Sequence, residues 1–78
     1  MTAAEAFEDL AEVLARMDPG KIVTLKASDG MAERVEELVT KKKDAEITEE
    51  EAVELERYLA LDLLINLTKA RAKRLLAA

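Results

Sequence analysis

YLALDLLINL, residues Tyr58 to Leu67, decides the fold. At about 100° of turn per residue, Tyr58, Leu59, Leu61, Leu63, Leu64, Ile65 and Leu67 surround most of a helix and leave one narrow polar strip, marked by Asp62 and Asn66. A helix that is apolar on nearly every side belongs in a core or an interface. Seven such side chains, fully buried, contribute roughly 10 to 20 kcal/mol of gross transfer free energy. That is as much as the whole net stability of a domain.

The stretch lies in the middle of one long helix. Thr48 and Glu51 form the S/T-x-x-E signature of a capping box directly before an apolar-periodic run. Beyond them no glycine or proline interrupts the chain, so the helix is expected over about 48–76. Glu49, Glu50 and Glu51 suit its positive start. Lys69, Arg71, Lys73 and Arg74 suit its negative end. Read as KARAKR, residues 69–74 could also contact nucleic acid, but complementarity to the helix dipole is the simpler account.

Upstream, Phe7, Leu10, Leu14 and Met17 recur at helical spacing, with Glu5, Glu8, Asp9 and Glu12 outside the stripe. This predicts a short amphipathic helix closing at Arg16 or Met17, followed by a turn at Asp18, Pro19 and Gly20. KIVTLKA, residues 21–27, changes period. Val23, Leu25 and Ala27 alternate with Ile22, Thr24 and Lys26, and the β-branched content favours an extended strand. A lone strand has no partner in a chain this small, so its edge calls for a second copy or another protein. Ser28 is placed to cap a second short helix with Asp29 at its positive end. Met31, Val35, Leu38 and Val39 form its stripe, and it should fray within Lys41–Lys43. The expected fold class is mainly α, with two short amphipathic helices, one extended segment at about 21–27 and a long C-terminal helix. Residues 1–78 read as a single small domain, with a helix and turn over 1–20 and the main body over 21–78.

A chain of 78 residues is in the range where one hydrophobic core is marginal and oligomerisation often supplies the missing burial. A homodimer is therefore expected. Half of the residues are apolar and 37% are charged, which excludes a disordered polar tail. Asp62 and Asn66 interrupt the apolar stretch, so no membrane span is expected. The acidic start MTAAEAFEDL does not resemble a secretory signal, and the cytoplasm is the expected location.

Catalytic constellations find little material. Histidine and cysteine are absent, and the single serine, Ser28, is claimed by the helix cap. General acid–base and nucleophilic chemistry need such groups within hydrogen-bond reach of one another, so a non-enzymatic role is expected. Read as a calcium loop, Asp44 to Leu55 has Glu49 where glycine is required and Leu55 where the bidentate glutamate is required. Gly20 and Gly30 fit no phosphate-loop spacing. No metal or cofactor is expected.

From Lys21 onward the order of landmarks is a strand ending at Ser28, ERVEEL at Glu33–Leu38, T-x-E-E at Thr48–Glu51, E-L-E-x-Y at Glu54–Tyr58 and L-x-K-A-R-A at Leu67–Ala72. In that order the chain resembles a family of small bacterial antitoxin-like or accessory proteins encoded beside nuclease-like genes, HNH-type endonucleases among them. The resemblance covers about three quarters of the chain and includes no catalytic motif. It implies a partner protein encoded nearby, with a nuclease-type toxin as the candidate. Proline commonly follows the serine in that family. Here Asp29 and Gly30 follow instead, which weakens the expected start of the second helix.

The leading functional expectation is an antitoxin-like or accessory protein that binds its partner through the long helix and the strand. Val23, Leu25, Tyr58, Leu61, Leu64, Ile65 and Leu67 would form the interface. The alternative is a ribbon-helix-helix repressor in which Ile22, Thr24 and Lys26 reach DNA bases. A net charge of −5 opposes that reading, because phosphate contacts dominate DNA affinity. A structural homodimer with no client is the third possibility.

Overall fold

The computed structural model describes residues 1–78 and contains four helices: α1 over Ala3–Met17, α2 over Pro19–Ile22, α3 over Asp29–Lys43 and α4 over Glu49–Ala77. Each begins at a side chain that accepts an otherwise unpaired backbone N–H. At Thr48 the capping box is reciprocal. The Glu51 N–H donates to Thr48 Oγ1, and the Thr48 N–H donates to Glu51 Oε1, each at 3.1 Å. Ser28 Oγ accepts the Met31 N–H at 3.2 Å. That bond lets α3 start at Asp29 even though proline is absent from its first turn. A second reciprocal box, unanticipated from the sequence, joins Thr2 and Glu5 at the head of α1. The same T-x-x-E spacing announces it.

The expected strand at 21–27 is absent, and the reason lies just before it. Pro19 has the backbone angle that suits a first helical position and needs no hydrogen-bond partner there. Asp18 Oδ1 accepts the Lys21 N–H at 3.2 Å, so Asp-Pro-Gly-Lys starts a helical turn where a simple reversal was expected. The N–H groups of Lys21 and Ile22 then donate to the Asp18 carbonyl, and those of Val23, Thr24 and Leu25 to Pro19, Lys21 and Ile22. Val23 is itself right-handed helical, at φ −63° and ψ −18°. These donors are satisfied locally, whereas a lone strand would have left them without partners. Side-chain alternation over so few residues did not outweigh that.

At the far end of α3 the three lysines do not fray. Ala45 adopts φ 58°, its N–H donates to the Lys42 carbonyl, and the Glu46 N–H donates to the Lys41 carbonyl at 2.9 Å. This is a Schellman closure, and it satisfies carbonyls that would otherwise end unpaired.

The contacts group into two compact units, one formed by residues 1–26 and 63–78, the other by residues 27–62. In the first, the fully buried positions are Ala11 and Ala15 of α1 with Thr68 and Ala72 of α4. All four are small. The Thr68 hydroxyl donates to the Leu64 carbonyl at 2.7 Å, so its burial leaves no polar atom unpaired. In the second unit the buried residues are Leu38 of α3 and Leu55 of α4. No helix of the protein is long and apolar enough to cross a membrane.

Left-handed backbone costs an alanine roughly 1–2 kcal/mol relative to glycine, partly offset by the greater freedom of glycine in the unfolded chain. Ala45→Gly is therefore expected to stabilise the protein by about 0.5–1 kcal/mol. Thermal unfolding followed by circular dichroism should show a higher Tm, and an unchanged or lower value would contradict this account of the α3 terminus.

Candidate functional site

Several large side chains of the first unit are turned outward. On α1 the inward positions are alanines, while Leu10, Val13 and Met17 are 45%, 52% and 75% exposed. Phe7 and Leu14, half-buried, stand between the two faces. The stripe that periodicity marks on α1 is thus only partly covered by its own chain. Across this unit Arg71 of α4 reaches two carboxylates of α1, donating to Glu12 Oε2 at 2.9 Å and to Glu8 Oε2 at 3.2 Å. Glu12 Oε1 also accepts from Arg16 Nε at 2.8 Å. Arg71 first, and Arg16 after it, hold the Glu12 carboxyl below the usual carboxylate range. Arg71 is therefore a tie between helices as well as a charge suited to the helix end.

In the second unit a charged lattice joins α3 to α4. Arg34 donates two near-parallel bonds to Glu54, Nε to Oε2 at 2.9 Å and Nη2 to Oε1 at 2.7 Å, a fork geometry specific to guanidinium and carboxylate. Its Nη1 lies 3.0 Å from Glu37. Lys41 Nζ donates to Glu51 Oε2 at 2.6 Å. Glu51 thus serves two structures at once, the α4 cap and the tie to α3, and only 16% of its side chain is exposed. Lys41 foremost, then the backbone N–H of Thr48, hold its carboxyl at about 2. Arg34 likewise keeps the Glu54 carboxyl below its ordinary range.

Beside this lattice the same unit has an apolar groove of about 250 Å³ lined by Ala27, Met31, Ala32, Val35, Tyr58 and Leu59, with Asp62 at its edge. The unit that holds it is strongly acidic, since residues 27–62 carry twelve acidic and five basic side chains, a net charge of −7. No group of three or more carboxylates is arranged to hold a metal ion.

The interface residues expected from the sequence fall in different environments. Tyr58 lines the groove. Leu61 is about half exposed, as are Leu59 and Leu63. Leu64, Ile65 and Leu67 are half-buried in the first unit. No residue of Tyr58–Leu67 is fully buried. Val23, half-buried, caps α2, and Leu25, exposed, follows it. Neither lies on a strand edge. Ile22, Thr24 and Lys26 do not form a DNA-facing ribbon: Ile22 ends α2, the Thr24 hydroxyl donates to the Lys21 carbonyl at 2.7 Å, and Lys26 is in irregular chain. The ribbon-helix-helix arrangement accordingly lacks its ribbon. α1 also carries an outward seam distinct from the stripe of Phe7, Leu10, Leu14 and Met17. Ala3, Ala6, Leu10, Val13 and Met17 repeat at alternating spacings of three and four, a pattern that was open to inspection. Comparison of the chain with protein-family models, curated proteins and solved structures finds no match.

The depressed carboxyls of Glu51, Glu54 and Glu12 link stability to pH. A carboxyl held below its unfolded value stabilises the fold above that unfolded value, and the contribution disappears as pH falls through the folded value. For Glu51 the window runs from the ordinary 4.5 down to about 2. Tm is expected to fall steadily across that window. Glu51→Gln should lower Tm at neutral pH and flatten the acid decline, and a wild-type Tm constant down to pH 2 would contradict the lattice.

Proposed function

We propose that the protein is a non-enzymatic, antitoxin-like accessory protein that binds a nuclease-type enzyme through the groove of residues 27–62. The observation that carries this reading is the pairing of the open apolar groove with the net charge of −7 on the unit that holds it. Enzymes that act on nucleic acids present basic surfaces to phosphate, and an acidic protein complements such a surface and is steered toward it. The groove supplies the desolvated apolar centre that charge alone does not provide. The resemblance to antitoxin-like proteins encoded beside nuclease-like genes supports the same class of partner.

The reading also accounts for the exposed leucines. Fully buried apolar residues number five, three of them alanines, while ten large hydrophobic side chains are exposed. Leu59, about half exposed at the groove, is the residue on which a partner helix would rest.

Co-expression with the nuclease-type product of an adjacent gene is expected to give a complex that survives size-exclusion chromatography at low salt and weakens as salt is raised. Leu59→Glu should abolish co-elution while leaving the helical circular-dichroism signal unchanged. Separate elution of the two wild-type proteins at about 10 μM, a concentration that detects micromolar affinity, would overturn the proposal.

A further inference from the structure

We infer that the outward face of α1 is a self-complementary seam through which two copies of this chain pair in antiparallel fashion. Ala3, Ala6, Leu10, Val13 and Met17 follow the alternating three-and-four spacing of a coiled-coil seam over two heptads. All five positions are exposed. Ala3, Ala6, Phe7 and Leu10 surround a depression of about 200 Å³ on this face. Those are the i, i+3, i+4 and i+7 positions that make up the hole for one incoming knob.

The shape of the seam selects both the partner and its direction. It tapers, with small alanines at its N-terminal end and Val13 and Met17 at its C-terminal end. Side by side in the same direction, two copies would set large against large and leave a gap between the alanines. Reversed, Leu10 meets its own copy on the two-fold axis, Val13 enters the hole of the other copy, and Met17 covers the other Ala3. On the flank beside the seam, reversal sets Glu5 of one copy near Arg16 of the other and places the two Asp9 carboxylates beside the axis; the size taper, not charge, sets the direction. α1 itself carries Glu5, Glu8, Asp9 and Glu12 against Arg16, a net charge of −3, but Glu8 and Glu12 are paired with Arg71 of α4, so a second copy meets less like charge on this helix than on residues 27–62. Two copies of residues 27–62 would meet as −7 against −7.

This inference goes beyond the client reading and does not depend on it. Its test uses the full chain alone. Light scattering after size exclusion should give twice the 8.6 kDa chain mass at about 100 μM, a concentration that detects even weak self-association. Leu10→Glu, which places two carboxylates on the axis, should raise the dissociation constant about 100-fold or more with helix content retained. The chain has no cysteine, so single introduced thiols report proximity. The Leu10→Cys variant should cross-link to itself under mild oxidation, and a mixture of Ala3→Cys and Met17→Cys chains should give mainly the mixed product. Monomeric wild-type protein, a dimer indifferent to Leu10→Glu, or self-linked Ala3→Cys in place of the mixed product would each overturn it. Leu10→Glu chains that still bind the nuclease-type partner separate this outcome from the client reading. Loss of client binding in that variant, with the wild type monomeric, would assign the seam to the client.

Discussion

The first unit buries small side chains, and much of the remaining surface follows from that choice. Helices that meet through alanine and threonine can approach closely, but such side chains remove little apolar area from water, since burial is worth roughly 25 cal/mol per Å². Ala11, Ala15, Thr68 and Ala72 therefore provide a close contact with a modest hydrophobic contribution. The large side chains of the same helices have no place inside that contact. They lie beside it, half-covered like Phe7 and Leu14, or beyond it, like Val13 and Met17. A fold organised in this way leaves apolar surface that another chain can cover.

Polar ties supply the specificity that the sparse core lacks. Arg71 selects the register between α1 and α4 by reaching both Glu8 and Glu12, which are one helical turn apart. Arg34 and Lys41 do the same between α3 and α4 through Glu54 and Glu51. Pairs of this kind at partly exposed positions contribute modestly to stability. Their geometry discriminates among registers, because sliding a helix by one residue turns each carboxylate about 100° away from its cation. Glu51 couples that selection to helix initiation, since the same carboxylate caps α4 and accepts from Lys41.

Local chemistry was the legible part of the chain. Thr48 with Glu51, Ser28, and the Met17 end of α1 were all readable, because caps and stops depend on neighbours within a few residues. The Thr2–Glu5 box was equally readable by the same rule. In the segment 21–27 the helix-starting strength of Asp18 and Pro19 just upstream overrides the side-chain alternation. What could not be read was tertiary. Nothing local says that Ala11 and Ala15, rather than Phe7 and Leu10, face inward on α1. The Arg71 contacts span 59 and 63 residues. YLALDLLINL looked apolar all round for a related reason. α4 contributes Leu55 and Tyr58 to one unit and Leu64, Thr68 and Ala72 to the other, and this stretch contains members of both sets. One stripe cannot describe a helix that supports two units.

The division of charge bears on how such a chain can associate. A surface that pairs with its own copy brings each of its charges opposite an identical set, so strong net charge of one sign works against it. A surface that pairs with a different protein has no such restriction, and strong charge then speeds encounter and selects the partner. The net charge of −7 over residues 27–62 and of +2 over the rest of the chain therefore suit different kinds of association. A foreign, basic partner would suit the acidic unit that holds the groove of Tyr58 and Leu59. Self-association would suit α1, whose Glu8 and Glu12 are already paired with Arg71 and whose proposed two-fold axis through Leu10 would set Glu5 of one helix near Arg16 of the other.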